Sequence, residues 1–387
     1  MSEPRFARPA LAVIKVGSNS LRGDDGRLDR AYVEQLAAEV AAARASGTDV
    51  VVVSSGAVAA GVPILGLDRR PTDLVTLQAA ASVGQGELVH EYQRHLATHG
   101  LACGQVLLTQ DDFVRRQRYL NARGTFRRLL ELGAVPVVNE NDAVATEELA
   151  YGDNDHLAAL VTSMLDAQLL VLLSDVEGLY DRDPRTDGAA RLVDRVADAA
   201  AVADLAIGGV GSAVGKGGMR TKVEAARVAV ASGAHAVVAG ARVPGVVADV
   251  LTGVAVGTWF VAQPRRLEAR RLWIGFALTP HGRVHIDDGA VRALVERGTS
   301  LLAVGVTSVD GAFAAGDAVE VVAPDGTAVA RGLSNYDAEE LRRIAGRTTA
   351  DAAATFGASF AREVVHRDDL VVVVSPTLRG LDEEERR

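Results

Sequence analysis

A single cysteine, Cys103, stands in 387 residues, and aromatic side chains make up only 4% of the chain. One cysteine excludes an internal disulfide and a cysteine-ligated zinc site. The expected state is a reduced, half-buried thiol in a cytoplasmic protein. Long apolar runs are missing as well. The stretch at 11–16 is short and broken by Lys15, which argues against a signal peptide. No uninterrupted run reaches the ~20 residues that a transmembrane helix needs. A soluble chain with no membrane partner is expected. Positive charge is in deficit, with 41 Lys and Arg against 50 Asp and Glu and a formal charge of −9. That balance argues against nucleic acid or an anionic membrane as the main partner, and leaves room for a local basic groove. Internal repeats and low-complexity segments are lacking too.

What the chain has in quantity is small apolar residues. Apolar types make up 48% of it, so Ala, Val and Leu fill the core. The length points to two domains. Continuous apolar strands are predicted at 10–17, 49–53, 104–108, 135–138, 169–173 and 235–239, with helical patterns between them. One helix is predicted over 29–46, with Tyr32, Leu36, Val40 and Ala43 on one face and Gly47 as its stop. Strands that are apolar throughout belong to a sheet covered on both faces and mostly parallel. Residues 1–262 therefore read as a three-layer α/β/α domain. Residues 263–275 read as a basic linker carrying Arg265, Arg266, Arg270 and Arg271, where a solvated loop is as good a reading as a functional one. Residues 276–354 show short strands with turn signals at Gly282, Gly311 and Gly326, the pattern of a small β-barrel. The segment 355–387 holds one more strand-like run at 370–374 and a charged end expected to fray.

Four polar segments follow predicted strands, where open α/β sheets place ligands. In the first, Lys15 precedes Gly17 and Ser18, so a cation meets backbone N–H groups. This suits a phosphate, or simply a strand end. In the second, Ser54-Ser55-Gly56 lacks the G-x-S-x-G elbow of a serine nucleophile. A hydroxyl and amides gripping a carboxylate is one reading and an ordinary helix N-cap the other. The third joins Asn139, Glu140, Asn141 and Asp142 with Gly152, Asp153, Asn154 and Asp155. So many carboxylates and amides fit a metal ion, an amino-acid ammonium group, or plain turn chemistry. The fourth is Ser174-Asp175, paired with a distant glycine-rich run of Lys216, Gly217, Gly218, Met219, Arg220, Thr221 and Lys222 that opens a helix. The run is not a Walker A loop, because Val210 occupies the first glycine position and Gly217 the Ser/Thr position, and no strand precedes it. A nucleotide loop of another type and a flexible linker both remain open.

The order of these segments is more specific than any one of them. K-x-G-S, S-S-G-A-x-A-A-G, N-E-N-D, G-D-N-D, S-D-x-x-G-L-Y-x-x-D-P-R and G-G-M-x-T-K follow one another along the chain. The succession resembles the amino-acid kinase family, in the branch that acts on the side-chain carboxylate of glutamate. Residues 276–350 are similar to the PUA domain of many members, through G-R-V-H-I-D-D-G-A, F-A-A-G-D-A-V and A-R-G-L-S-N-Y. The resemblance implies ATP-dependent phosphorylation of L-glutamate to L-glutamyl 5-phosphate, the first step of proline biosynthesis, with Mg²⁺. It implies that Lys15 and Lys222 contact the transferring phosphate and that Asp155 orients them. Ser55, Asp142 and Asn154 would hold glutamate, with Asn139 and Asp153 close by. Lys15, Ser174, Asp175 and the loop of Lys216, Gly217, Gly218, Met219, Arg220, Thr221 and Lys222 would bind ATP. Lys216 departs from the pattern, standing where a small hydroxyl residue is expected.

The resemblance further implies proline as a feedback inhibitor, a homo-oligomer of two or four chains, and glutamyl phosphate reductase as a pathway partner. Rival substrates within the family are acetylglutamate, aspartate, carbamate and nucleoside monophosphates. An RNA-binding protein is the rival of a different class, since PUA modules elsewhere bind RNA. Residues 275–350 carry ten acidic residues against seven arginines and no lysine, so RNA is not an expected partner.

Overall fold

The computed structural model describes residues 4–23, 26–109, 111–144, 154–182, 184, 187–197, 218–263, 274–275, 278 and 280–373. The chain divides into two compact units, Met1–Arg266 and Leu267–Arg387.

The first unit is organised by strands too apolar to face water. β1 (Leu11–Val16), β2 (Asp49–Ser54) and β5 (Leu169–Ser174) are buried along nearly their whole length. With β3 (Cys103–Leu108), β4 (Val135–Glu140), β6 (Arg195–Val196), β7 (His235–Gly240) and β8 (Thr258–Phe260) they form an eight-stranded sheet in the order β3-β4-β2-β1-β5-β7-β8-β6. Every neighbouring pair is parallel except β7 and β8. Full burial of each Val or Leu in the central strands contributes about 1.5–3 kcal/mol. Alternate residues serve opposite faces. Ala12, Ile14 and Val16 pack with Tyr32, Val33, Leu36 and Val40 of α1 (Arg30–Ala45). Asp29 caps α1 by accepting from Tyr32 N, and Gly47 ends the turn at φ +87°.

Parallel strands all deliver their carboxyl ends to one edge, so the residues after β1, β2, β4 and β5 converge there. Helices that start at the same edge bring their N-termini to it. α2 (Ala57–Ile64) follows β2 through Gly56, which sits at φ +106°. α3 (Leu74–Ala97) packs against α2. The short α4 (Asp111–Val114) and α5 (Arg116–Glu131) lead into β4, and α6 (Asn154–Leu165) leads into β5. α7 (Met219–Ala231) precedes β7, and α8 (Val246–Leu251) precedes β8. α6 and α7 are buried along most of their length. Among the described residues no helix is long and apolar enough to cross a membrane.

The second unit has its own sheet. β9 (Gly282–Ile286), β10 (Val306–Gly311), β11 (Ala318–Val322), β12 (Ala328–Leu333) and β13 (Leu370–Val372) are ordered β10-β9-β11-β12-β13, with β9 and β11 parallel and the other pairs antiparallel. Helices at Asp288–Arg297, Ala338–Ile344 and Thr349–Phe356 cover a separate apolar cluster that includes Val284, Leu294, Val319, Val329, Leu341 and Val365. The strand-like run in the C-terminal segment supplies the strand that pairs with β12.

Candidate active site

Two lysines meet on one acid. Lys15, the fifth residue of β1, places its Nζ 2.6 Å from Asp155 Oδ1. Lys222, in the first turns of α7, places its Nζ 3.2 Å from Asp155 Oδ2. Asp155 is fully buried, and the two lysines are 4% and 6% exposed. Burial alone would push the Asp155 carboxyl up, but the ammonium groups of Lys15 and Lys222 overcome it and hold its pKa below the usual 3.8. Asp155 also lies in the first turn of α6, where the helix dipole favours an anion. The Thr221 hydroxyl sits 3.0 Å from Asp155 Oδ2 and 2.8 Å from Gly218 O. Among the described residues, these three side chains sum to one positive charge, buried at the strand ends.

A second cluster adjoins the first through the neighbouring residue. Asn154 Nδ2 donates to Ser55 Oγ at 2.9 Å and to Asn139 Oδ1 at 3.0 Å. Ser55 and Asn139 are buried, at the ends of β2 and β4. Asp142, a few residues on in a single 3₁₀ turn, is half-buried; desolvation pushes its pKa above 3.8, opposed by the nearby Arg70. Ser55, Asn139 and Asn154 thus gather hydroxyl and amide functions, and the carboxylate of Asp142 follows three residues after Asn139.

The third cluster follows β5. Ser174 Oγ lies 3.2 Å from Asp175 Oδ1, and Asn19 Nδ2 donates to Asp175 Oδ2 at 3.1 Å. The loop after β1 is thereby tied to the loop after β5. Of the glycine-rich run, Gly218 caps α7, while Met219, Arg220, Thr221 and Lys222 form its first turn. Arg220 lies on the exposed side and pairs with Glu224 at 3.0 Å. Lys216, Gly217 and Asp153 lie outside the described residues, as does most of the 263–275 linker. Asn19 belongs to the first polar segment, Lys15 to Ser20, and joins the site through Asp175. One residue outside every polar segment also enters it: Gln85 of α3, whose Oε1 accepts from Asn139 Nδ2 at 2.7 Å. Gln85 leaves no signal in the sequence, being one polar residue in the middle of a long helix.

A parallel sheet with a buried Lys-Asp-Lys cluster and polar loops at its strand ends defines a protein that handles anions at the edge of an α/β domain. A sequence profile described as the amino acid kinase family matches residues 10–240, and a PUA domain profile matches residues 282–355. The chain is 52% identical to a protein of Salinispora arenicola named glutamate 5-kinase, covering 95% of this chain and 99% of that one. A glutamate 5-kinase of Streptomyces coelicolor is 52% identical over 93% of this chain and 96% of its own, and one of Ralstonia nicotianae is 48% identical over the same shares. Among solved structures, a UMP kinase from Bacillus anthracis aligns at a TM-score of 0.47 and 15% identity, covering 66% of this chain and 97% of its own. The chain belongs to the amino acid kinase family, within its glutamate 5-kinase branch.

Proposed function

We propose that the chain transfers the γ-phosphoryl group of ATP to the side-chain carboxylate of L-glutamate, giving L-glutamyl 5-phosphate and ADP and opening proline biosynthesis. The observation that carries this reading is the pair of buried lysines, Lys15 and Lys222, held on the single carboxylate of Asp155.

Glutamate's side chain is ionised at neutral pH, so one of its oxygens can attack phosphorus directly. The new O–P bond forms as the bond to the β-phosphate oxygen breaks, and ADP leaves with that electron pair. No proton has to move, and no general base is needed. The obstacle is repulsion between anions, which positioning and fixed positive charge overcome. Lys15 and Lys222 supply that charge, and Asp155 keeps both ammonium groups aimed at one point without reorganisation during the reaction. Ser55, Asn154 and Asp142, with Asn139 and Asp153 beside them, hold the amino acid. Ser174, Asp175 and the run from Lys216 through Gly217, Gly218, Met219, Arg220 and Thr221 to Lys222 hold ATP.

Among the described residues no group of three acidic, histidine or cysteine side chains could hold a metal by itself. A magnesium ion accompanying ATP would fit this site with its oxygens drawn from the nucleotide and water. When bound, it supplies further neutralisation of the phosphate charge. The division of labour follows the domains: 1–262 for catalysis, 263–275 as a linker, 276–354 as a PUA-like module of structural or regulatory use, and 355–387 as the C-terminal segment. A cytoplasmic homo-oligomer inhibited by proline, passing its labile product to a reductase, completes the proposal.

A coupled ADP-release assay tests it. Glutamate should drive release, while aspartate, acetylglutamate, carbamate and UMP should not, and proline should suppress it. Equal release with another acceptor would overturn the substrate assignment.

A further inference from the structure

The hydrogen bonds around Asn139 have a direction that can be deduced from one donor. The backbone N–H of Glu140 can only donate, and it lies 2.9 Å from the Asn139 amide oxygen, which is thereby fixed as Oδ1. Asn139 Nδ2 must then point the other way, and it donates to Gln85 Oε1 at 2.7 Å. Because Asn139 presents an oxygen to Asn154, the atom of Asn154 that meets it is Nδ2, at 3.0 Å. Both hydrogens of that Nδ2 are used, on Asn139 and on Ser55 Oγ. Two consequences follow. Asn154 Oδ1 is left buried with no hydrogen-bond partner among the described residues. Ser55 Oγ has accepted a bond, so its own hydrogen is available to donate. An ammonium group offers donors only, and a carboxylate offers acceptors only. The site presents one complement to each.

The far end of this relay is Gln85. It is 9% exposed, on α3, outside every segment assigned to the reaction. We propose that Gln85 is a positioning residue for amino-acid recognition: through Asn139 it holds Asn154 with Oδ1 turned out to accept from the substrate's ammonium group. Its role rests on the reading of L-glutamate as substrate. Without an acceptor at position 85, the Asn139 amide keeps only the bond from the Glu140 N–H and leaves its Nδ2 buried without a partner. Asn139 then shifts toward another acceptor, and Asn154 Oδ1 loses its fixed aim at the ammonium. Looser positioning of that oxygen costs binding of the amino acid and leaves nucleotide binding untouched.

The test compares two substitutions in the full chain. Gln85→Leu keeps the volume and removes the acceptor, and should raise KM for glutamate about tenfold, the size expected for one buried hydrogen bond. KM for ATP should stay within about twofold, because the nucleotide contacts lie elsewhere. Gln85→Glu keeps an oxygen for Asn139 Nδ2 and should restore KM for glutamate to within about threefold of wild type. Circular dichroism melts accompany both, and Gln85→Met replaces Gln85→Leu should the latter not fold. An unchanged glutamate KM in the apolar variant, a parallel rise in KM for ATP, or equal defects in the Leu and Glu variants would each overturn the proposal. Wild-type protein that releases no ADP with glutamate would instead overturn the functional reading, and this inference with it.

Discussion

Gly61 of α2 and Gly84 of α3 touch backbone to backbone: a Cβ on Gly84 would come within 2.3 Å of Gly61 N and 1.9 Å of Ala57 O. α2 begins just after Ser55, and Gln85 follows Gly84 directly. The approach of these two helices therefore sets the distance between Ser55 and Gln85, the first in the proposed amino-acid site and the second beside it. Gly84→Ala should force them apart and cost about 1–3 kcal/mol of stability, read in a thermal melt. KM for glutamate should rise with it. A variant as stable as wild type would mean the helices can separate without strain.

Removing either cation tests the transfer step. Lys15→Ala or Lys222→Ala should lower kcat by about 10²–10³-fold, with KM for glutamate changed only a few-fold. Asp155→Asn removes the charge of the carboxylate that both buried ammonium groups contact, and should cost about 3–5 kcal/mol of stability. Steady-state kinetics and denaturant titrations check these. Near-normal turnover in a lysine variant would remove that residue from the mechanism.

Acid should stop the enzyme before it unfolds it. Asp155 has its folded pKa held below 3.8 by the two lysines. The stability it provides is fully present above the unfolded value and is lost as pH falls through the lower folded one. Asp142 has the opposite sign: burial raises its pKa above 3.8, so it takes up its proton first, and that protonation favours the folded state. KM for glutamate should therefore climb on acidification while circular dichroism is unchanged. Simultaneous loss of binding and structure would contradict the assignment of Asp142 to the substrate.

The lone thiol should be quiet. Burial pushes Cys103 up to about 11, so almost none of it is thiolate at neutral pH. Alkylation by iodoacetamide at pH 7.5 should be far slower than for a free thiol and should accelerate in denaturant. Fast labelling of the native protein would show that β3 opens readily.

The parts of this architecture that can be read from the chain are those where chemistry is concentrated locally. Continuous Val and Leu runs reveal β1, β2, β4, β5 and β7 because burial on both faces leaves no polar alternation. β6 and β8 stay hidden: two or three residues cannot establish a period, and β8 runs against its neighbour β7. Polar segments at strand ends are visible for the converse reason, as breaks after apolar runs. Contacts made across the fold leave no local mark. Gln85 meets Asn139, and Arg70 faces Asp142, only because helix and loop are brought together by packing. Neighbours in sequence can also part company. Arg220 stands two residues before Lys222, yet the ~100° turn per helical residue sends it to the outer surface, where it pairs with Glu224.

The depth of the Lys15-Asp155-Lys222 cluster separates two kinds of salt sensitivity. Dissolved ions screen charges that lie more than about 8–10 Å apart across water, and reach buried groups poorly. Rising ionic strength should weaken the capture of ATP from solution while leaving the transfer between bound partners nearly untouched. A salt titration would then register in kcat/KM for the nucleotide and spare kcat, dividing arrival from chemistry with no substitution at all.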